Sequence, residues 1–178
     1  QKGTDLVVAA NAVVQPMGLY SNKIHSLDDI KADTKIAIPN DPSNGGRALV
    51  LLEKAGIIKL KPDYKGEASI HDVAENPRGV KLVELEAAQL PISLQDLDVA
   101  CVPMNYAVSG GLDVNKQGFY FESRDAKYAL IIIAARPDNV QSPEVQTFVK
   151  CYQSPEVAAF IKEKFKGQIN PAWEQPAK

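Results

Sequence analysis

The stretch that most constrains the fold is an apolar run, a polar loop and a glycine pair in direct succession. Residues 36–38 are apolar and lead to a closing proline at Pro39, which predicts a short buried strand over residues 35–39. Residues 40–44 (Asn-Asp-Pro-Ser-Asn) supply turn and N-cap chemistry. Gly45 and Gly46 allow a close backbone approach, and the apolar residues that follow predict a helix over residues 46–55.

The predicted helix start has the properties of an anion site. The first turn of a helix leaves N–H groups without partners and carries a partial positive charge, which favours a carboxylate or a phosphate. Arg47 adds a guanidinium group that can bind such an anion in a bidentate manner. We therefore predict ligand contacts from Asn44, Gly45, Gly46 and Arg47. The alternative is an exposed arginine in a first helical turn, with no ligand.

Composition and charge exclude several classes of partner. The formal net charge is −2 and the pI is near 5.7, with lysine and arginine interleaved among acidic residues, so we predict no nucleic-acid partner. The longest uninterrupted apolar run is residues 129–135, far short of the roughly 20 residues that cross a bilayer. With 178 residues, of which 45% are hydrophobic, the chain can form one sizeable core or two small ones.

The cysteines and histidines show no catalytic or metal-binding pattern. Cys101 lies in a strand-like run and Cys151 in a helical one, without the spacing of a metal site. We predict that both are buried apolar side chains. A catalytic thiol would need an electropositive partner, and His25 and His71 lie in polar surroundings far from both cysteines. No catalytic residue, metal or cofactor is predicted.

Strands alternate with helices along the chain, which predicts an α/β fold with a sheet covered on both faces. Residues 128–135 are predicted to be extended and too apolar to lie at a surface edge. Other predicted elements are extended segments at 6–10, 13–20, 64–68, 79–86, 99–103 and 118–122, short helices after Ser26, near 70–75 and at 89–96, a helix or hinge at 105–110, and helices opening at Ser142-Pro143-Glu144 and Ser154-Pro155-Glu156.

Residues 36–60 closely resemble the methionine-binding lipoproteins of ABC importers, the NlpA lipoprotein family. The resemblance continues in order along the chain, through Glu84-Leu85-Glu86-Ala87-Ala88-Gln89-Leu90-Pro91, Asn105-Tyr106-Ala107, Gly111-Leu112, Glu122-Ser123, Phe165-Lys166-Gly167 and Pro171-Ala172-Trp173. It implies a two-lobed, periplasmic-binding-protein-like fold of type II. It also implies a binding protein rather than an enzyme, with an amino-acid ligand in the cleft between the lobes.

The resemblance implies that the chain crosses twice between lobes. Residues 26–120 would form one lobe and residues 1–25 and 121–178 the other, with hinges near 20–26 and 118–123. Family members carry a signal peptide, a lipidated cysteine and a strand-helix-strand portion ahead of the point where this sequence starts. Because these are absent here, we expect an incomplete first lobe. Its exposed strand edge would invite a dimer or a strand swap with another chain.

Two residues of this sequence match head-group contacts of the family, and Tyr106 follows one of them. Arg47 matches the arginine that meets the α-carboxylate of the ligand. Asn105 matches the asparagine of an Asn-Tyr pair that bonds the amino-acid head group, and its alternative role is a helix cap. Tyr106 is either a core residue or part of the cleft lining.

Two positions depart from the family pattern. Pro103 replaces one polar cleft residue, and Leu130 stands where a head-group asparagine is expected. A lost hydrogen bond to a charged group costs about 1.5–3 kcal/mol, or roughly tenfold to a hundredfold in affinity. The sequence therefore predicts the fold more firmly than it predicts methionine as the ligand.

The resemblance implies the substrate-binding component of an ABC importer. It would capture L- or D-methionine or a related small amino acid and deliver it to a membrane permease. It would lie outside the cytoplasm, held on the membrane only by an N-terminal lipid anchor that this chain lacks. One alternative is a surface lipoprotein or antigen of the same fold with altered or lost ligand binding. Another is an enzyme acting at the glycine-rich turn, although that turn lacks the lysine and hydroxyl residue of a P-loop.

Overall fold

The computed structural model of the chain describes residues 5–123, 126 and 128–174. Residues 1–4, 124–125, 127 and 175–178 lie outside this description. All of them belong to the lobe assigned to residues 1–25 and 121–178, so that prediction lies partly outside the described residues.

The described residues contain ten strands and six α-helices, which confirms the predicted mixed α/β class. The strands are β1 (Val7–Val14), β2 (Met17–Tyr20), β3 (Lys35–Pro39), β4 (Lys59–Leu60), β5 (Val73–Glu75), β6 (Lys81–Leu85), β7 (Val99–Pro103), β8 (Gly118–Phe121), β9 (Leu130–Ala135) and β10 (Asn170–Pro171). The helices are α1 (Pro42–Lys54), α2 (Leu90–Ser93), α3 (Met104–Ser109), α4 (Val114–Gln117), α5 (Pro143–Tyr152) and α6 (Pro155–Phe165).

The chain divides into two compact units. The first combines Gln1–Pro16 with Ser123–Lys178, and the second is Met17–Glu122. The chain therefore enters the second unit at Met17 and leaves it after Glu122. Whether these units correspond to the lobes and hinges inferred from sequence stays a prediction.

The Met17–Glu122 unit is built on a five-stranded sheet in the order β6-β3-β7-β2-β8. Strands β6, β3 and β7 are parallel, whereas β2 runs antiparallel to both β7 and β8. The carboxyl ends of β3, β6, β7 and β8 therefore meet at one edge of the sheet, together with the amino end of β2. We call this edge the carboxyl edge; in open α/β sheets, ligands bind outside such an edge.

Helix α1 and strand β3 form the centre of the core of this unit. Ile36 and Ile38 of β3 have no exposed surface, and Leu49 and Leu52 of α1 are at most 1% exposed. These four side chains belong to one apolar cluster, with Val99, Cys101 and Leu19 from the neighbouring strands. Burial of this cluster fixes the position of α1 relative to the carboxyl edge.

The other unit, which combines Gln1–Pro16 with Ser123–Lys178, contains an antiparallel three-stranded sheet in the order β10-β1-β9, together with α5 and α6. The predicted starts of both helices are confirmed. Ser142 Oγ accepts a hydrogen bond from the Val145 N–H, and Ser154 Oγ accepts one from the Val157 N–H, both at 3.3 Å. In each case a serine cap precedes a proline at the first helical position.

The prediction that residues 128–135 avoid a surface edge is wrong. Strand β9 is the outer strand of its sheet within the described residues. Leu130, Ile131 and Ile132 expose 37%, 40% and 42% of their surface. An apolar run of this kind is typical of a strand buried on both faces, but here β1 is the only strand neighbour that the described residues provide.

Helix α1 begins four residues earlier than predicted. Its N-cap is Asp41, Pro42 is its first residue, and the Asp41 carboxylate accepts a hydrogen bond from the Asn44 N–H. The sequence Asp41-Pro42 is itself a cap followed by a first-position proline. Gly45 and Gly46 therefore lie inside the helix rather than in the loop before it.

Several shorter predictions also need correction. Residues 64–68 are irregular rather than extended, and the segment near 70–75 is a 3₁₀ turn followed by β5, which pairs with β4. Ser26 bonds the Asp29 carboxylate at 2.7 Å but caps no backbone N–H. Cys151 is exposed, whereas Cys101 is buried as predicted.

Substitution of Gly45 tests how closely α1 packs against β3. A Cβ atom at this position would lie 2.7 Å from the Pro39 carbonyl oxygen. Gly45→Ala should therefore destabilise the unit by about 1–2 kcal/mol, because the clash outweighs the better helix propensity of alanine. Urea unfolding followed by far-UV circular dichroism measures the change, and Ser43→Ala, at an exposed position of the same helix, is the matched control. A Gly45→Ala protein as stable as wild type would contradict the close approach.

Candidate functional site

The carboxyl edge contains a buried ion pair between Arg47 and Glu122. Arg47 lies on α1, and Glu122 follows the last residue of β8. Arg47 Nη2 is 2.5 Å from Glu122 Oε2, and Arg47 Nε lies 3.0 and 3.2 Å from the two carboxylate oxygens. The two side chains are 8% and 7% exposed. Glu122 thus holds the guanidinium group through its Nε and Nη2 nitrogens.

Glu122 also binds the first residue of β2. The Met17 N–H donates to Glu122 Oε2 at 3.1 Å, and the Glu122 N–H donates to the Met17 carbonyl oxygen at 2.9 Å. These two residues are the first and the last of their unit. The carboxylate that holds Arg47 is therefore fixed at both points where the chain enters and leaves the unit.

The start of α1 already has a carboxylate partner from its own chain. Asp41 accepts from the Asn44 backbone N–H at 2.9 Å, and the Asn44 side-chain amide donates to both Asp41 oxygens at 3.2 and 3.1 Å. Arg47 is the sixth residue of the helix, beyond its first turn. The sequence argument that placed Arg47 beside unpartnered first-turn N–H groups is therefore wrong, and the proposed anion site depends on the guanidinium itself.

The glycine pair is packed against other parts of the chain. A Cβ atom at Gly45 would meet the Pro39 carbonyl oxygen, and one at Gly46 would lie 3.0 Å from the backbone of Ala68. Both glycines are buried. The close approach that they allow is thus made by protein backbone, and a ligand contact from either one stays a prediction.

Asn105 and Tyr106 lie at the same carboxyl edge, in the first turn of α3. Pro103 is the last residue of β7 and occupies the N-cap position of α3, so the structure gives Asn105 no capping role. Asn105 is exposed and Tyr106 is half-buried. Arg47, Asn105 and Tyr106 are therefore carried by helices that follow two adjacent parallel strands, β3 and β7.

An aromatic pair, Tyr20 of β2 and Phe121 of β8, joins these two strands of the sheet. Tyr20 has no exposed surface, its hydroxyl donates to Met104 Sδ at 3.7 Å, and its ring meets Phe121 edge-on at 5.8 Å. Burial raises the pKa of Tyr20 far above its ordinary value, so the hydroxyl stays protonated. A side chain at Gly18 would collide with the Phe121 ring at 2.7 Å. These contacts fix β8 beside β2, and with it the position of Glu122.

The described residues contain no group of three or more histidine, cysteine, aspartate or glutamate side chains that could hold a metal ion. Burial raises the pKa of the Cys101 thiol, which disfavours the reactive thiolate. Within the described ranges, no helix combines the length and apolar character that a bilayer span needs. Leu130, the second departure from the family pattern, begins β9 in the other unit and is exposed.

A model of the NlpA lipoprotein family matches residues 1–173. The chain belongs to the NlpA lipoprotein family. The D-methionine-binding lipoprotein MetQ of Escherichia coli K12 is 41% identical over 174 residues, which are 97% of this chain and 64% of that protein. The recognition of this family from sequence motifs is thereby confirmed.

Solved structures of NlpA-like proteins share the fold. A nutrient-binding protein from Burkholderia cenocepacia, solved bound to methionine, aligns with a TM-score of 0.89 and 44% identity over 97% of this chain and 72% of that one. A periplasmic substrate-binding protein of an ABC transporter from Coxiella burnetii aligns with a TM-score of 0.86 and 41% identity, covering 96% and 72% of the two chains. The expected periplasmic-binding-protein-like fold is confirmed. The chain spans about 64% of the length of the curated relatives that it matches.

Sequence reasoning missed Glu122 as the partner of Arg47. The segment Glu122-Ser123 contributed only to the resemblance and to a predicted hinge. Arg47 and Glu122 are 75 residues apart in sequence, and no local pattern predicts that they pair. The available signal was a carboxylate directly after a strand end, because the carboxyl ends of parallel strands meet at one edge.

Breaking the ion pair from one side should strongly destabilise the Met17–Glu122 unit. Arg47→Met leaves the Glu122 carboxylate buried without its cation, and we expect a loss of about 3–5 kcal/mol in urea unfolding. Arg47→Met combined with Glu122→Gln should recover much of this loss, because the amide still accepts from the Met17 N–H.

Lys59→Met provides the control for the Arg47→Met variant and its combination with Glu122→Gln. It breaks the Lys59–Glu75 pair, whose side chains are 65% and 61% exposed, and should cost less than about 1 kcal/mol. A double variant no more stable than Arg47→Met would show that charge burial is not the cause of the loss.

Proposed function

We propose that this chain belongs to the substrate-binding component of an ABC importer that captures methionine or a related small amino acid. The observation that carries the proposal is a buried arginine at the carboxyl edge of the sheet, in a chain of the NlpA family. A guanidinium group in this position suits the α-carboxylate of an amino acid, because its planar N–H groups match a carboxylate in a bidentate manner. The function is binding, and it requires no chemical step.

Asn105 is the second proposed contact to the head group. Its amide can accept from an α-ammonium group and donate to a carboxylate, and its exposure leaves it accessible. Tyr106, Asn44, Gly45 and Gly46 complete the proposed site. Of these, Asn44 bonds Asp41 and the glycines meet protein backbone, so their proposed role is to shape the site around Arg47.

Methionine is supported as the ligand by the names of relatives, which are D-methionine-binding lipoproteins, and by the Burkholderia structure bound to methionine. We propose L- or D-methionine, with a related small amino acid as the broader class. The permease of an ABC importer is the proposed macromolecular partner, in keeping with the Coxiella relative. The proposed location is extracytoplasmic, on a lipid anchor at the periplasmic or outer surface of a bacterial membrane.

A surface lipoprotein or antigen with altered or lost ligand binding is the second candidate. Pro103 and Leu130 favour it, because each replaces a polar residue of the family pattern with an apolar one. The pairing of Arg47 with Glu122 also favours it, because a guanidinium group already neutralised by a buried carboxylate attracts a second carboxylate less strongly. Ligand binding by the purified protein separates the two candidates.

Ligand binding should depend on Arg47. We expect native mass spectrometry of the purified protein to show a retained amino acid, and calorimetry to show binding of L- or D-methionine. Arg47→Lys keeps the charge facing Glu122 but loses the bidentate fork, so affinity should fall roughly tenfold to a hundredfold.

Arg78→Lys is the matched control, because the Arg78 guanidinium bonds the Leu27 carbonyl oxygen in the same unit. Its affinity should equal that of the wild type. Equal affinity of Arg47→Lys and wild type would remove Arg47 from the site. A wild-type protein that binds no amino acid would favour the surface lipoprotein.

We also propose that a second copy of the chain pairs with the edge of β9 that has no strand neighbour among the described residues. Leu130–Ala135 contains no charged residue and no proline, the features by which edge strands avoid such pairing. Ile131→Lys should therefore shift light-scattering masses towards the monomer, whereas Ile92→Lys, at a 68% exposed position of α2, should not. A monomeric wild-type protein would contradict this pairing.

A further inference from the structure

Helix α3, which carries Asn105, begins without a capping side chain among the described residues. Its N-cap residue is Pro103, whose ring has no atom that could accept a hydrogen bond from the first turn. Helices α1, α5 and α6 instead begin at an aspartate or a serine whose side chain accepts such a bond. Another contact therefore has to fix where α3 begins.

The first residue of α3 is anchored by a buried hydroxyl group. Met104 is 2% exposed, and its Sδ accepts a hydrogen bond from the Tyr20 hydroxyl at 3.7 Å. Tyr20 has no exposed surface, and within the described part of the chain Met104 is the partner of its hydroxyl. A buried hydroxyl that loses its partner is costly, so this contact ties the start of α3 to the end of β2.

The other end of α3 is held by close packing. A Cβ atom at Gly110, the C-cap residue, would lie 2.5 Å from the Cβ atom of Pro91 on α2. Helix α3 is therefore fixed at both of its ends. Asn105 is exposed and directly follows Met104, so its place at the carboxyl edge depends most closely on the anchored start of the helix.

We infer that the Tyr20–Met104 contact positions Asn105 for the head group of the ligand. Tyr20 and Met104 are positioning residues that act through Asn105, since both of their side chains are buried. The inference rests on the proposed amino-acid-binding function. It adds to that function the pair of side chains that holds the second proposed head-group contact in place.

The test removes the contact and preserves the packing around it. Tyr20→Phe deletes the hydroxyl but keeps the ring against Phe121, and Met104→Leu deletes the sulfur but keeps an apolar side chain of similar volume. Binding of L- and D-methionine is measured by calorimetry. We expect each variant to bind about threefold to tenfold more weakly than wild type, because the start of α3 is no longer held.

Tyr64→Phe is the matched control for the loss of a tyrosine hydroxyl. Tyr64 is half-buried and packs against the apolar core of the same unit, outside α3. Its variant should bind methionine as tightly as wild type. Far-UV circular dichroism checks that each variant is folded, and if one of Tyr20→Phe and Met104→Leu does not fold, the other carries the comparison.

A second background shows whether the effect passes through Asn105. Asn105→Ala alone should weaken binding roughly tenfold and keep the rest of the proposed site, so binding stays measurable. In the Asn105→Ala background, Tyr20→Phe and Met104→Leu should cause no further loss, because the side chain that they position is gone. A merely structural role would lower affinity by the same factor in both backgrounds.

The outcomes separate the inference from the function on which it rests. A wild-type protein that binds neither form of methionine overturns the proposed function, and the inference falls with it. Wild-type affinity in Tyr20→Phe and Met104→Leu overturns only the positioning role. A loss that persists in the Asn105→Ala background also overturns it, and so does an Asn105→Ala protein that binds as tightly as wild type.

Discussion

The arrangement of the Met17–Glu122 unit depends on a charged pair buried at the carboxyl edge of its sheet. Removing two charges from water is costly, and their attraction offsets the cost only when the geometry is good and the remaining polar atoms have partners. Glu122 satisfies this condition by accepting from both Arg47 and the Met17 N–H. The pair therefore constrains three elements together: the helix that carries Arg47, the first residue of β2 and the end of β8.

The topology of the sheet brings these groups to one place. Strands β3 and β7 are parallel neighbours, so the segments that follow them begin at the same edge. The antiparallel β2 and β8 add their amino and carboxyl ends to that edge. Residues distant in sequence thereby become neighbours through strand direction alone, and the edge acquires side chains from four separate parts of the chain.

The elements that sequence predicts best are those with a strong local signal. The apolar runs at β3 and β7 end at prolines, and the structure has both strands at the predicted residues. Local chemistry also predicts the starts of α5 and α6, through their serine caps and first-position prolines. Asp41-Pro42 shows the same pattern of a cap before a proline, but Gly45-Gly46 suggested that a loop continues to residue 45. In the structure these glycines lie inside α1 and allow the helix to pack closely against neighbouring backbone.

Long-range contacts account for what the sequence did not predict. The partner of Arg47 lies 75 residues away, and its position depends on the pairing of β8 with β2, which no window of sequence contains. The exposure of β9 depends on which strands lie beside it, whereas its composition indicates only that it is apolar. Family resemblance predicted the fold and located Arg47, but not the carboxylate that holds it.

The two cysteines give the units different chemical accessibility. The thiol of Cys101 lies fully buried in β7, and its raised pKa further suppresses its reactivity, whereas Cys151 is exposed on α5. A thiol-reactive dye applied to the folded protein will therefore attach to one unit only, without any engineered cysteine. The chain thus carries its own single attachment point for a spectroscopic label, outside the unit that contains Arg47.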